Sequence, residues 1–274
     1  MSVTFRVACI QNCAGPDMDA NLEALDDLVR DSCSKGAKLI CLPEYVSCLN
    51  ITDDGFAVAP YPEEDHPALS HLQNLANQFD SWILLGSLAI EGDNGKILNR
   101  SYMIDDNGVI TARYDKLHLF DVDLSDGESY RESKIIEPGN KAVLAPTPWG
   151  PLGMSVCYDL RFAYLYRTLA QGGALFHAVP AAFAKTTGKA HWHVLLRSRA
   201  IETGSYIFAP CQTGSHGTGE SYGHSLIIDP WGEILADAGN EVGFIIADVE
   251  TARVEQARQM IPALDHDRSY TLEK

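Results

Sequence analysis

No cysteine pair, no long apolar run and no excess of basic charge mark this chain of 274 residues. Its seven cysteines, at 9, 13, 33, 41, 48, 157 and 211, are odd in number and scattered, with no CxxC spacing. That pattern argues against a disulfide framework and for a reducing compartment. No stretch reaches the roughly 20 apolar residues of a membrane-spanning helix. Met1 to Asn12 lack a basic start followed by an apolar run and a small-residue cleavage site, so the expected location is cytoplasmic. With 21 Lys and Arg against 37 Asp and Glu, the formal charge of −16 repels phosphate backbones and anionic bilayers. Neither nucleic acid nor a membrane is an expected partner. A Ser-, Gly- or Pro-rich linker and an internal repeat are missing too, which leaves a single domain over residues 1–274 as the expectation, and 46% hydrophobic residues are ample for its core.

What is present is an alternation of β and α patterns. Phe5 to Gln11 reads as a strand, followed by a helix with Leu22, Leu25, Leu28 and Val29 on one face and ended at Gly36. Lys38 to Leu42 is a second buried strand, broken by Pro43-Glu44. A helix over His66 to Phe79 precedes a strand from Trp82 to Ile90 with Gly86 inside it. Asp105-Asp106-Asn107-Gly108 between two β-type runs is a hairpin signal. Then come a strand ending at Cys157, a helix over 163–171, a strand over 174–179, a helix over 189–202 and strands over 206–211, 225–229 and 243–249. Several strands are apolar almost throughout, as in sheets covered on both faces. The expectation is an α/β fold with layered sheets and outer helices.

Three strand ends carry reactive groups: Glu44, Lys116 and Cys157. Taken singly, each has an ordinary reading, as a loop carboxylate, a solvated edge charge and a buried small hydrophobe. A thiol nucleophile needs a base, an oxyanion stabiliser and a proton source, and strands of one α/β sheet can bring all three to one rim. A lysine between carboxylates would stay protonated and would favour a thiolate beside it.

The ordered set Pro43-Glu44-Tyr45, Lys116-Leu117-His118-Leu119-Phe120 and Cys157-Tyr158-Asp159-Leu160-Arg161-Phe162 resembles the nitrilase superfamily of carbon–nitrogen hydrolases. The likeness continues through Ala190-His191-Trp192, Arg197 to Thr203, Tyr222-Gly223-His224-Ser225 and Asp229-Pro230-Trp231-Gly232. It implies a four-layer α-β-β-α sandwich, usually dimeric, with no cofactor. It also implies Cys157 as nucleophile, Glu44 as general base and acid, and Lys116 as the cation facing the oxyanion. The Tyr158 N–H would be a second oxyanion donor, and Glu132 would orient Lys116 or the substrate amide. Cys-Tyr-Asp-Leu-Arg-Phe looks like the branch of omega-amidases and deaminated-glutathione amidases, which cleave small anionic amides. Arg161 would then bind a substrate carboxylate; its structural alternative is an ion pair with Asp159 or another carboxylate. The motifs after Arg199 resemble the deaminated-glutathione type.

Two positions depart from many relatives: Asp115 stands where they have Arg, and His193 where they have Glu. His191 and His193, two apart on a helix, face different ways and are not expected to share a metal ion. Rival readings are a nitrile-hydrolysing enzyme with the same triad and a binding protein that has lost its chemistry.

Overall fold

The computed structural model describes residues 3–52, 55–124 and 129–274. Two six-stranded sheets dominate it. The first contains β1 (Thr4–Gln11), β2 (Leu39–Cys41), β3 (Trp82–Glu91), β4 (Ile97–Ile104) and β5 (Ile110–Asp115). The second contains β6 (Leu144–Ala145), β7 (Leu152–Gly153), β8 (Phe176–Ala178), β9 (Tyr206–Ala209), β10 (Leu226–Ile228) and β11 (Ile234–Asp237). The last strand, β12 (Gly243–Glu250), returns to the first sheet beside β1. The strand orders are β12-β1-β2-β3-β4-β5 and β6-β7-β8-β9-β10-β11. In each, three strands run parallel, β1-β2-β3 and β7-β8-β9, and the outer pairings are antiparallel.

The two-residue period of a strand sorts its side chains into layers. On β1, Ala8 and Ile10 pack with Leu22, Leu25 and Val29 of α1 (Met18–Ser34) and Leu69, Leu72 and Leu75 of α2 (Pro67–Gln78). Phe5, Val7 and Cys9 pack the other way, in a cluster shared with the second sheet. Phe5 meets Phe176 of β8 edge-on at 5.5 Å, which fixes the two sheets face to face. The far side of the second sheet is covered by α3 (Ala163–Gln171) and α4 (Lys185–Thr203), through Leu165, Leu169, Trp192, Leu196 and Ala200. A short α5 (Ala252–Met260) follows β12. The result is the α-β-β-α order that the resemblance implies.

Most elements lie within a few residues of their expected bounds. Two depart for identifiable reasons. The segment before Cys157 is ladder-paired only at Leu152–Gly153, and Cys157 opens a 3-10 turn over Cys157–Arg161 rather than ending a strand. Helix α4 begins at Lys185, four residues before the apolar pattern suggests, because Gly188 lies inside it. A Cβ at that glycine would sit 2.3 Å from the Tyr222 ring, so a poor helix former is needed where helix and ring touch. The Asp105–Gly108 hairpin forms as read, with Gly108 at φ +78° and the Asp105 carboxylate accepting from the Asn107 and Val109 N–H groups.

Candidate active site

Glu44, Lys116 and Cys157 come together from three loops that follow β2, β5 and β7. The Glu44 loop lies hard against β3: a Cβ on Gly86 would come within 2.0 Å of the Leu42 carbonyl oxygen and 2.2 Å of that of Pro43. Gly86 also falls where the β3–β4 register shifts, so a bulge and a bare α-carbon together admit the loop. Tyr45 and Cys157 both adopt left-handed backbone, at φ +51° and +49°. Each such residue costs of order 1–3 kcal/mol and is kept only where its surroundings hold it. Here the holders are the Ser87 hydroxyl, which accepts from the Tyr45 N–H at 3.0 Å, and the Pro180 carbonyl, which accepts from the Cys157 N–H at 2.9 Å.

Lys116 is almost fully buried and donates to Glu44 Oε1 at 3.0 Å and to both Glu132 oxygens at 2.9 Å. Burial would depress its pKa, but the charges of Glu132 and Glu44 outweigh it and raise the pKa well above the ordinary lysine value. Glu44 is held at both oxygens: Asn99 Nδ2 donates to Oε1 and the Ala182 N–H to Oε2, each at 2.9 Å. Glu132 is fixed by the Phe120 N–H at 2.6 Å; burial raises its pKa, with Lys116 opposing.

The Cys157 thiol shares its cleft with Glu44 and Lys116. Burial and then the Glu44 charge push its pKa well above the usual thiol value, against the pull of Lys116. The expectation of a resting thiolate is therefore corrected. The ammonium is committed to two carboxylates, so the cluster carries net negative charge and the sulfur keeps its proton until Glu44 removes it.

Asp159, read only as part of a motif, ties two of the loops together. Fully buried, it accepts from the Val156 N–H at 2.9 Å at the mouth of the Cys157 turn. It also accepts from the Tyr114 hydroxyl at 2.6 Å and the His118 N–H at 3.0 Å, on either side of Lys116, and lies 2.6 Å from His118 Nδ1. With its oxygens so occupied, it makes no ion pair with Arg161, contrary to the structural alternative for that residue. Asn99, the Ala182 N–H and Asp159 are the site groups that local sequence does not reveal. Asp115 lies outside the site, paired with Arg100 at 2.6 Å.

Around the sulfur is a narrow cleft of about 490 Å³, counting its open mouth, with an aromatic lining: Phe56, Phe120, Tyr130, Tyr158 and Phe183. Glu44, Lys116 and Cys157 open onto it, whereas Glu132 and Arg161 are not part of its wall. The Arg161 guanidinium lies 5.7 Å from the Tyr158 ring centre and 5.5 Å from that of Phe183, with His191 Nδ1 at 3.3 Å. It abuts two wall rings from outside the cavity. A wider surface groove, about 1430 Å³ along Glu202, Trp231 and Arg258, lacks any nucleophile beside a base. A buried thiol, a carboxylate and an ammonium in one apolar cleft can carry out acyl transfer.

A family model described as carbon-nitrogen hydrolase matches residues 6–259. The chain is 41% identical over 271 residues to a deaminated glutathione amidase of Synechocystis sp. (strain PCC 6803), covering 96% of this chain and 97% of that protein. It is 34% identical over 269 residues to omega-amidase NIT2 of Homo sapiens, covering 97% and 96%. Among solved structures, Nit3 of Saccharomyces cerevisiae, a member of branch 10 of the nitrilase superfamily, matches with a TM-score of 0.85 at 30% identity over 96% of both chains.

Proposed function

Because the chain belongs to the carbon–nitrogen hydrolase family, we propose that it hydrolyses deaminated glutathione to 2-oxoglutarate and cysteinylglycine through a thioester on Cys157. The observation that carries the chemistry is the buried Cys157 thiol in one cleft with Glu44 and Lys116, Glu44 Oε1 accepting from the Lys116 ammonium at 3.0 Å. The substrate reading is supported by the 41% identity to a deaminated glutathione amidase. An omega-amidase acting on 2-oxoglutaramate is the second reading, favoured by the 34% identity to human NIT2.

Glu44 takes the thiol proton as the sulfur attacks the amide carbon, so no free thiolate is required. The oxyanion faces the Lys116 ammonium and the backbone N–H of Tyr158, which belongs to the first turn of the short helix that Cys157 opens. As the C–N bond breaks, Glu44 returns the proton to the leaving amine. Water then enters, Glu44 accepts its proton, the C–S bond breaks and the sulfur recovers the proton. Glu132 keeps Lys116 charged and aimed throughout.

Arg161 is the substrate-carboxylate partner in this reading, reached past the Tyr158 and Phe183 rings. Lys185, next to Ala184 of the cleft wall, is engaged with Glu220 at 2.5 Å. A charge-assisted contact is worth about 1.5–3 kcal/mol, so Arg161→Ala should raise KM at least tenfold with little change in kcat. A fall in kcat at unchanged KM would remove Arg161 from substrate binding. In this reading the protein acts in the cytoplasm as a homodimer or higher homo-oligomer; exposed Tyr164, Val194 and Ile201 on α3 and α4 support the association. No helix among the described residues is long and apolar enough to cross a membrane.

The test incubates wild type and Cys157→Ala with deaminated glutathione, 2-oxoglutaramate, simple amides and nitriles, following 2-oxoglutarate, ammonia and acid products. Wild type should turn over deaminated glutathione best, and the alanine variant should lose at least about 10⁴-fold in kcat. Full turnover by the variant overturns the mechanism; preference for a nitrile overturns only the substrate.

A further inference from the structure

Away from the cleft, a second group of reactive side chains converges from three parts of the chain. His193 on α4 points its Nε2 to within 3.2 Å of Asp237 Oδ2, at the end of β11. His224, in the loop before β10, places Nδ1 2.9 Å from Asp237 Oδ1 and 3.1 Å from Oδ2. One donor atom from each of the three residues lies within 4.8 Å of the others. His191 takes no part, being turned toward Arg161. None of the three lines the catalytic cleft. We propose that His193, His224 and Asp237 form a zinc site that clamps α4 to the second sheet.

Two imidazole nitrogens and one carboxylate oxygen form a donor set that suits zinc, whereas magnesium and calcium take oxygen ligands. Tetrahedral bonds of 2.0–2.1 Å separate neighbouring donor atoms by about 3.3 Å. The two His–Asp separations, 3.2 and 2.9–3.1 Å, are already near this value, and the two imidazole donors, within 4.8 Å of each other, would draw together on the ion. The donors are already held. Tyr222 stacks on the His224 ring at 4.6 Å and meets His193 edge-on at 5.9 Å, while Trp192 Nε1 donates to the His224 carbonyl at 2.7 Å. His224 itself has left-handed backbone, φ +52°, and its N–H donates to the Gly239 carbonyl at 2.6 Å. A side chain kept at such a cost is expected where its direction matters. The three side chains remain 23–33% exposed, which leaves a route for the ion and a fourth position for water.

The clamp has a reach beyond itself. Tyr222 packs on Gly188 of α4, and the neighbouring Ser221 and Thr187 line the cleft. Zinc at this point would hold one wall of the substrate site without touching the sulfur. Chelation should accordingly lower thermal stability and leave the Cys157 chemistry intact.

The test uses Cys157→Ala protein, so that the active-site thiol cannot compete, stripped with a chelator and titrated calorimetrically with zinc chloride. One ion per chain should bind with micromolar or tighter affinity and raise Tm by about 5 °C at a hundredfold excess over Kd. Cobalt(II) should give the strong visible bands of a low-coordinate site. His193→Gln and Asp237→Asn, checked for folding by circular dichroism, should lose the binding, the Tm shift and the bands. Absence of stoichiometric binding, or full binding by both variants, means that the three residues form only a hydrogen-bonded triad, and overturns the proposal.

Discussion

At the residue scale, the proposed catalytic groups depend on neighbours that never approach substrate. Asp159 spends its charge on donors from the Lys116 loop and the Cys157 turn. Replacing it with Asn leaves the side chain similar in size but puts an amide donor where donors already point. A buried donor left unsatisfied costs about 1–3 kcal/mol. Asp159→Asn should therefore lower Tm by about 5 °C and reduce kcat at least tenfold, because the lysine and the sulfur lose their common anchor. Thermal melts and steady-state kinetics on one preparation check both. The sequence identifies Glu44, Lys116, Cys157 and Glu132 because each lies in a short motif, and the structure brings these four together. Asn99 and the Ala182 N–H were not visible in it. They reach Glu44 across separations of 55 and 138 residues, and nothing in their own surroundings marks them.

At the scale of elements, a position without a side chain decides where the base sits. The bulge in β3 at Gly86 is the space into which the Leu42–Glu44 segment folds. Gly86→Ala forces backbone against backbone, which no rotamer can relieve. It should cost about 3 kcal/mol and displace Glu44, so kcat falls much further than the loss of folded protein explains. A titration of active sites set against a denaturant melt separates the two effects. Periodicity located four of the five described α-helices; α5, which buries only Val254 and Ala257, shows no apolar face and was not expected. The pattern placed the start of α4 four residues late, at Lys189, just past Gly188, which packs against Tyr222. The two-residue pieces of β6 and β7 are too short to show any period of their own.

At the scale of the whole molecule, buried histidines set the response to acid. His177 is fully buried between the second sheet and α3, with both ring nitrogens lacking a hydrogen-bond partner; burial lowers its pKa to about 3. His66 is lowered to about 4, also by burial. In the unfolded chain both titrate near 6.5, so below that pH the unfolded state binds more protons. Stability from these two groups is fully present above pH 6.5 and is lost as pH falls toward 4, at up to about 2.7 kcal/mol per pH unit. Urea melts between pH 7 and 5 should show a slope of this sign, to which His216, also lowered by burial, adds, and His177→Leu should reduce it by up to about 1.4 kcal/mol per pH unit. An unchanged slope in that variant places the acid sensitivity elsewhere.

The pairing of β1 with β12 has a consequence for how the protein is made. Thr4 lies opposite Glu250, so β1 waits for one of its two sheet neighbours until more than two hundred further residues have been made. At roughly 5–20 residues per second, that edge stays open for about 12–50 seconds while the intervening chain emerges. During this interval β1 presents a row of unpaired backbone groups and the apolar side chains of Val7, Cys9 and Ile10 to the cell. A nascent chain stopped short of Gly243 has no means of covering them. The completed fold seals that edge with β12.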